Sequence, residues 1–458
     1  MLHIKGKRVL VLGLGNTGLS MTRWLVRHGA NVHVADTREH PPHAAVLARE
    51  LPQVALAAGF DEESFDEVDL IAVSPGVDRR EPLVDGAVKR GVPVVGDIEL
   101  FAQALPADAR SKVLAITGSN GKSTVTAMTG EMCAAAGTST IVAGNIGLPV
   151  LDVLSAIESG GNAPDAFVLE LSSFQLESTW SLEPDAATVL NLTADHMDRY
   201  RGMPDYAAAK ARIFSGDGTQ VLNREDPWSM EMARSGRPVV TFGLGAPGGD
   251  DEWGRKVIRG THWLAQGDRE LMPVNELPLA GLHNAANALA ALALCRVLDL
   301  PEAPLLDALR RFRGLPHRVQ KVGEAGGITF YDDSKGTNVG ATVAALRGMA
   351  QPTVLIAGGD GKQQDFGALA PAVAKHARAV VLIGRDGGLI ARALAGCGVP
   401  IIHARDMEAA VNAAFEAGGP GDAVLLSPAC ASYDMFRDYV HRAEVFVQAV
   451  NRLVEEWR

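Results

Sequence analysis

Cysteine is scarce. Four residues (Cys133, Cys295, Cys397, Cys430) are scattered through 458 positions with no CxxC pair and no Cys/His cluster. That excludes a disulfide scaffold and a thiolate zinc site, and leaves reduced, mostly buried thiols. Aromatics make up only 5%, too few for the stacking platforms that grip single-stranded nucleic acid. Basic residues are outnumbered: 43 Lys and Arg against 54 Asp and Glu give a formal charge of −11. A general nucleic-acid or membrane-surface binder needs the opposite sign. No apolar run reaches the roughly 18 residues of a membrane helix; the nearest, Ala285 to Leu298, is too short and carries Arg296. The opening MLHIKGKRVLVLGLG places charges where a secretion signal needs an apolar stretch, so a cytoplasmic location is the expectation.

What is present is ordinary for a globular chain with large cores: 47% hydrophobic and 21% charged residues. The length is about three times a common domain of ~150 residues. Three segments each restart a strand–glycine turn–helix pattern. The first opens at Arg8–Gly13 and adds strands at Val32, Leu70 and Val92–Gly96. The second opens at Val113 and continues through strands at Phe167, Ala187 and Gln220. A hairpin-like stretch (Lys256–Leu279) and an alanine-rich helix (Asn284–Leu298) complete it. The third opens at Ile328, with strands at Thr353, Val380 and Ala423. It closes on a helix whose apolar positions Phe436, Val440, Phe446, Val447, Val450 and Leu453 recur every three or four residues. Short β-branched runs alternating with helical patterns predict three α/β domains, with parallel sheets covered on both faces. The boundaries fall at 1–106, 107–314 and 315–458.

Two turns point to phosphate. Gly13-Leu14-Gly15-Asn16-Thr17-Gly18 follows a strand and opens a helix, with Asp36 ending the next strand. That is the dinucleotide fingerprint, in which a pyrophosphate sits on the helix N-terminus and the acid meets a ribose. The motif leaves open a nicotinamide dinucleotide, another nucleoside diphosphate or a structural turn. Thr117-Gly118-Ser119-Asn120-Gly121-Lys122-Ser123-Thr124 ends in the Gly-Lys-Ser of a phosphate loop. Ile116 stands where the full pattern has its first glycine. The amides of 119–124 cradle phosphates, Lys122 reaches the β/γ oxygens and Ser123 ligates Mg²⁺.

A metal-bearing phosphate site needs carboxylates at neighbouring strand ends. Glu170 interrupts an apolar run, where an unpaired charge is costly. Asp195-His196-Met197-Asp198 follows the next strand and sets acids beside an imidazole; a lone histidine would more often be structural. Lys210, in Tyr206-AAAKARIF, reads by composition alone as a solvated lysine on an amphipathic helix. In the third domain, Asp333-Ser334-Lys335-Gly336-Thr337 and Gly359-Asp360-Gly361-Lys362 each put a lysine after an acid in a glycine-flexed loop. Substrate-carboxylate contacts and solvated turns both remain open for them.

Taken together, these motifs with Gly144-Asn145-Ile146-Gly147, Leu169–Glu177, Asp195–Arg199, Gly314–Arg318 and Ser427–Ser432 resemble the bacterial Mur ligases along essentially the whole chain. The D-glutamate-adding branch is the nearest. The resemblance implies a Rossmann-like UDP-binding domain, a central P-loop ATPase-type domain and a C-terminal Rossmann-like domain for the incoming amino acid. It also implies an ATP- and Mg²⁺-dependent ligase that joins D-glutamate to UDP-N-acetylmuramoyl-L-alanine through an acyl phosphate, acting as a monomer in peptidoglycan precursor synthesis. Carried over by position, Gly15, Asn16, Thr17, Asp36, Thr37, Arg38, Ser74 and Asn145 face the UDP-muramoyl substrate. Gly118 to Thr124, Asn284, Asn287, Arg318 and Asp333 face ATP. Ser123, Glu170, His196 and a carbamylated Lys210 ligate metal. Lys335, Thr337, Lys362, Ser432, Tyr433 and Tyr439 form the D-glutamate pocket, where Tyr433 replaces an aliphatic residue and Tyr439 a phenylalanine. A diaminopimelate-adding ligase would carry Asp-Asn-Pro-Arg, which is missing; a folylpolyglutamate synthetase would lack the first glycine turn. An oxidoreductase with an added phosphate loop and a non-catalytic nucleotide-binding regulator are readings from other classes.

Overall fold

The structure, a computed structural model, describes residues 3–105, 111–279 and 281–457. The expected boundary at 106/107 lies outside the described residues. Strands β1 (Arg8–Leu12), β2 (Asn31–Asp36), β3 (Ala55–Ala58), β4 (Leu70–Val73) and β5 (Val94–Val95) form a parallel sheet in the order 3-2-1-4-5. The second sheet holds β6 (Lys112–Thr117), β7 (Thr140–Gly144), β8 (Ala166–Glu170), β9 (Ala186–Val189), β10 (Thr219–Asn223), β11 (Val239–Phe242), β12 (Glu252–Ile258), β13 (Thr261–Gln266) and β14 (Arg269–Pro273). Its order is 14-13-12-11-10-9-6-8-7, parallel from β7 to β12 and antiparallel over the last two pairs. The third holds β15 (Gln320–Ala325), β16 (Ile328–Asp332), β17 (Thr353–Gly358), β18 (Ala377–Ile383), β19 (Ile401–His403) and β20 (Ala423–Leu426), in the order 15-16-20-17-18-19 with only β15 antiparallel.

The near-continuous apolar strands follow from burial on both faces. In β1, Val9 and Val11 enter one core while Leu10 and Leu12 enter another. In β17, Val354 and Ile356 face one side and Leu355 and Ala357 the other. Each sheet has a switch point where strand order reverses, at β1/β4, β6/β9 and β16/β20. Crevices open there, beyond the strands' carboxyl ends. The hairpin-like stretch is a three-stranded meander, β12 to β14. The alanine-rich helix spans Leu282–Cys295 and ends in a 3₁₀ turn, Arg296–Leu298. The last helix starts at Tyr439, behind an Asp438 side chain that accepts from the His441 amide, so Phe436 lies outside it.

The three units are joined unequally. One hydrophobic cluster runs through the first and second, with Trp24, Phe101, Leu151 and Phe167 among its members; the Phe101 and Phe167 rings meet edge-to-face at 5.1 Å. The third unit has two cores of its own. Among the described residues, no core cluster spans the second and third. They meet instead through polar side chains: Arg318 on Ser123, Asn338 on Asn120 and Lys362 on Asp195.

Candidate active site

The phosphate loop follows β6 and feeds the helix Lys122–Ala135. Gly121 has φ +85°, and a Cβ there would sit 2.7 Å from Asn287 Oδ1. Only glycine lets the loop and that asparagine approach so closely. Lys122 Nζ donates to the carbonyls of Gly118 (2.9 Å) and Ser119 (3.0 Å). Burial lowers its pKa, while Glu170 and Asp195 act the other way. Ser123 Oγ accepts from Arg318 Nη2 at 2.8 Å, which brings the third unit onto the loop.

Glu170 ends β8. Its Oε1 accepts from Asn145 Nδ2 at 2.9 Å, and its Oε2 is buried with no hydrogen-bond partner. An unpaired buried carboxylate oxygen is costly, and a hard cation would satisfy it. His196 has a left-handed backbone, φ +57°. Burial lowers its pKa to about 4, the neighbouring Asp195 only partly opposing this, so the ring is neutral and can ligate metal at neutral pH. No group of three or more His, Cys, Asp or Glu side chains among the described residues could hold a metal ion. Mg²⁺ needs none, since it takes one or two carboxylates with phosphate oxygens and waters. The donor set fits that ion.

Lys210 corrects the composition-based reading. It is 1% exposed, not solvated. Its Nζ donates to Thr117 Oγ1 (3.1 Å) and the Gly118 carbonyl (2.9 Å), and lies 4.8 Å from the Tyr206 ring. Burial, with Lys122 adding repulsion, drives its pKa well down. The direction of that shift favours the neutral amine over the ammonium.

A cavity of about 380 Å³ joins these groups to Lys335, Thr337, Lys362, Ser432, Tyr433 and Tyr439. Lys335 Nζ sits 3.8 Å over the Tyr439 ring, and burial plus Arg318 push its pKa to about 8. Tyr433 is 74% exposed at the rim. A second cavity, sharing Asn120, Gly121, Arg318 and Lys335 with the first, is lined by Asn284, Asn287 and Asp333. Burial raises Asp333 to about 7, although Ser427 Oγ donates to it at 2.7 Å.

On the opposite side a cavity of about 470 Å³ gathers Gly15, Asn16, Thr17, Asp36, Thr37, Arg38, Ser74 and Asn145, and shares Pro75, Gly76 and Asn145 with the central one. Gly18 is obligatory there: a Cβ would lie 1.8 Å from the Gly13 carbonyl oxygen. Asp36 is engaged internally by the Leu14 amide (2.6 Å) and by Arg38 (2.6 and 2.9 Å). Against the desolvation that would raise it, these hold its pKa at about 2.

The chain was compared with known proteins. The description "Mur ligase MurD-like, N-terminal domain" matches residues 7–96, "Mur ligase middle domain" 116–295 and "Mur ligase, glutamate ligase domain" 317–430. The chain belongs to the Mur ligase family. Curated proteins named UDP-N-acetylmuramoylalanine--D-glutamate ligase are 61% identical in Methylobacillus flagellatus, over 99% of this chain and 98% of that one. In Nitrosospira multiformis the identity is 58%, over 99% and 97%. Among solved structures, UDP-N-acetylmuramate-alanine ligase MurC of Thermotoga maritima superposes with a TM-score of 0.61 at 21% identity, covering 97% of this chain and 99% of that one. MurF of Acinetobacter baumannii gives 0.61 at 18%, covering 98% and 93%. These last two share the fold.

Asp195, singled out in the sequence as an acid beside His196, also joins two units, its Oδ1 taking the Lys362 ammonium and its Oδ2 accepting from Asn338 Nδ2 at 3.1 Å. Two further residues of this Mur ligase escape sequence reading. Tyr206, four residues before Lys210 and so on its helix face, touches Ser119 Oγ at 3.2 Å. Arg442 is wholly buried and donates to Ser334 Oγ (3.0 Å), the Ser334 carbonyl (2.8 Å) and the Cys430 carbonyl (3.0 Å). Nothing in the spacing of its helix announces it.

Proposed function

We propose that this Mur ligase joins D-glutamate to UDP-N-acetylmuramoyl-L-alanine at the expense of ATP, a step of peptidoglycan precursor synthesis. One observation carries the reading: three cavities, sharing lining residues, run from the first glycine turn past Glu170 and Lys122 to Arg318 and Lys335. A long nucleotide-linked substrate and ATP can thus enter from opposite ends and meet. The relatives' names supply the identity of the substrates.

Residues 1–106 hold the UDP moiety, 107–314 the nucleotide and 315–458 the amino acid. Gly15, Asn16, Thr17, Asp36, Thr37, Arg38 and Ser74 face the uridine diphosphate, and Asn145 faces the muramoyl side. Asn284, Asn287 and Asp333 face the adenosine. The L-alanine carboxylate attacks the γ-phosphorus and ADP leaves. The D-glutamate amine then adds to the acyl carbon, losing a proton, and phosphate departs as the amide forms. Amides of Ser119 to Thr124 and the Lys122 ammonium face the phosphate oxygens, with Arg318 at the transferring group. Ser123, Glu170, the neutral His196 ring and Lys210 as a carbamate would hold Mg²⁺. Held there, the ion would supply charge neutralisation at the phosphoryl oxygens. Lys335, Thr337, Lys362, Ser432, Tyr433 and Tyr439 receive the D-glutamate carboxylates. The enzyme acts as a monomer in the cytoplasm, on small molecules rather than nucleic acid or membranes.

The test is phosphate release. It is expected only when UDP-N-acetylmuramoyl-L-alanine, D-glutamate and ATP are all present; release indifferent to D-glutamate overturns the assignment. Glu170→Gln should raise the Mg²⁺ concentration needed for half-maximal rate by about tenfold or more.

A further inference from the structure

Outside the catalytic trough, a cavity of about 310 Å³ lies between the segment after β4 and the helix Met203–Ala211. Five arginines line it, 79, 80, 199, 201 and 212, against Asp78, Glu177 and Asp205. Two are accounted for: Arg80 pairs with Asp78, and Arg199 lies between Asp78 and Glu177 at 3.6 Å. Arg79, Arg201 and Arg212 have no ion-pair partner among the described residues. Two of these, Arg79 and Arg212, converge on one neutral atom, the Glu177 carbonyl oxygen, the latter at 2.8 Å. That carbonyl ends a short helix and is favoured by a cation, but one guanidinium satisfies it. Bringing two guanidinium groups together is repulsive: burial first, then Arg212, lowers the pKa of Arg79, and the Glu177 carboxylate only partly opposes them.

A second observation points the same way. Tyr200, also lining this cavity, is 9% exposed, and its hydroxyl is buried with no hydrogen-bond partner. Burial first and then Glu177 raise the phenol's pKa, with Ser173 opposing them, yet neither neighbour closes a hydrogen bond with the hydroxyl. Guanidinium forks without an ion-pair partner beside an unpaired hydroxyl donor are what a tetrahedral oxyanion requires.

We propose that this cavity is a binding site for a phosphate-class anion, held by Arg79, Arg201, Arg212 and the Tyr200 hydroxyl. The anion would bridge the first unit to Arg212, two residues beyond Lys210. The proposal does not depend on the catalytic reading.

Inorganic phosphate is the probe, followed by calorimetry and phosphorus NMR line width on the full chain. Lys122→Ala serves as background, so that the phosphate loop is silenced. Saturable binding at a Kd on the order of 1 mM or tighter is expected, equivalent to a few charge-assisted hydrogen bonds. Arg212→Gln, which keeps a donor for the Glu177 carbonyl, should weaken it about tenfold or more, and Arg201→Gln should weaken it as well. Both side chains are at the surface, so folding is not at stake. Pyrophosphate separates the sources. Arg212-dependent binding tighter than that of phosphate indicates a phosphorylated ligand, and equal binding indicates free phosphate; either supports the site. Absence of saturable binding, or binding indifferent to both arginine variants, overturns it.

Discussion

At the scale of the residue, Lys122 and Lys210 share one loop carbonyl, that of Gly118, yet have opposite tasks. Lys122, in the proposed reaction, must be a cation toward phosphate. Lys122→Ala should lower kcat by about 10²–10³, the usual cost of a lost transition-state donor, with little change in secondary structure by circular dichroism. Lys210, in the proposed reaction, must lose its proton before it can take up CO₂. Its folded pKa lies well below that of the unfolded chain, so folding expels a proton, and the unfolded state binds more protons between the two values. Stability therefore rises with pH across that window, by up to about 1.4 kcal/mol per unit. Lys210→Met removes the penalty. It should melt higher than wild type near neutral pH, with the advantage shrinking toward pH 10, while turnover is lost. Asp333 carries the reverse sign: raised to about 7, it favours the folded state at acid pH and loses that contribution as pH climbs from about 4 through 7. Asp333→Asn should abolish the corresponding slope in melting temperature between pH 5 and 8.

At the scale of the element, the strand–turn–helix starts were legible because fully buried parallel strands leave unbroken β-branched runs, and the turns that follow carry glycine. The strands β3, β7, β11, β15 and β19 were not read. Ala55–Ala58 has only alanine and leucine, and Ile401–His403 spans three residues; neither has the length or composition to stand out. The same limit hid the groups that organise the site. Lys210 looks solvated in a helix that reads Ala-Ala-Ala-Lys, because its burial comes from a loop over ninety positions earlier, at Thr117 and Gly118. Arg442 resembles any helical arginine until the loops ending β16 and β20 close around it. There its fork ties Ser334 to the Cys430 carbonyl, fixing Lys335 relative to Ser432. Arg442→Met should raise KM for D-glutamate about tenfold or more and leave KM for the UDP substrate within about twofold; Arg442→Lys, lacking the fork, should not rescue it.

At the scale of the whole molecule, the polar seam between the second and third units makes their spacing responsive to charge. Lys362 and Asp195 are mostly buried together, so removing one leaves the other unpaired at considerable cost. Lys362→Gln should enlarge the radius of gyration of the free chain in small-angle scattering and raise KM for D-glutamate; an unchanged radius would show that other contacts hold the seam.

The shared interior of the first two units sets a rule for recombination among relatives. Grafting a foreign third unit onto this chain asks for a handful of matched polar partners around Ser123, Asn120 and Asp195. Exchanging the first unit means rebuilding an interior in which Trp24, Phe101, Leu151 and Phe167 interlock. The third unit is therefore the freer one to diversify, and the first the more conservative.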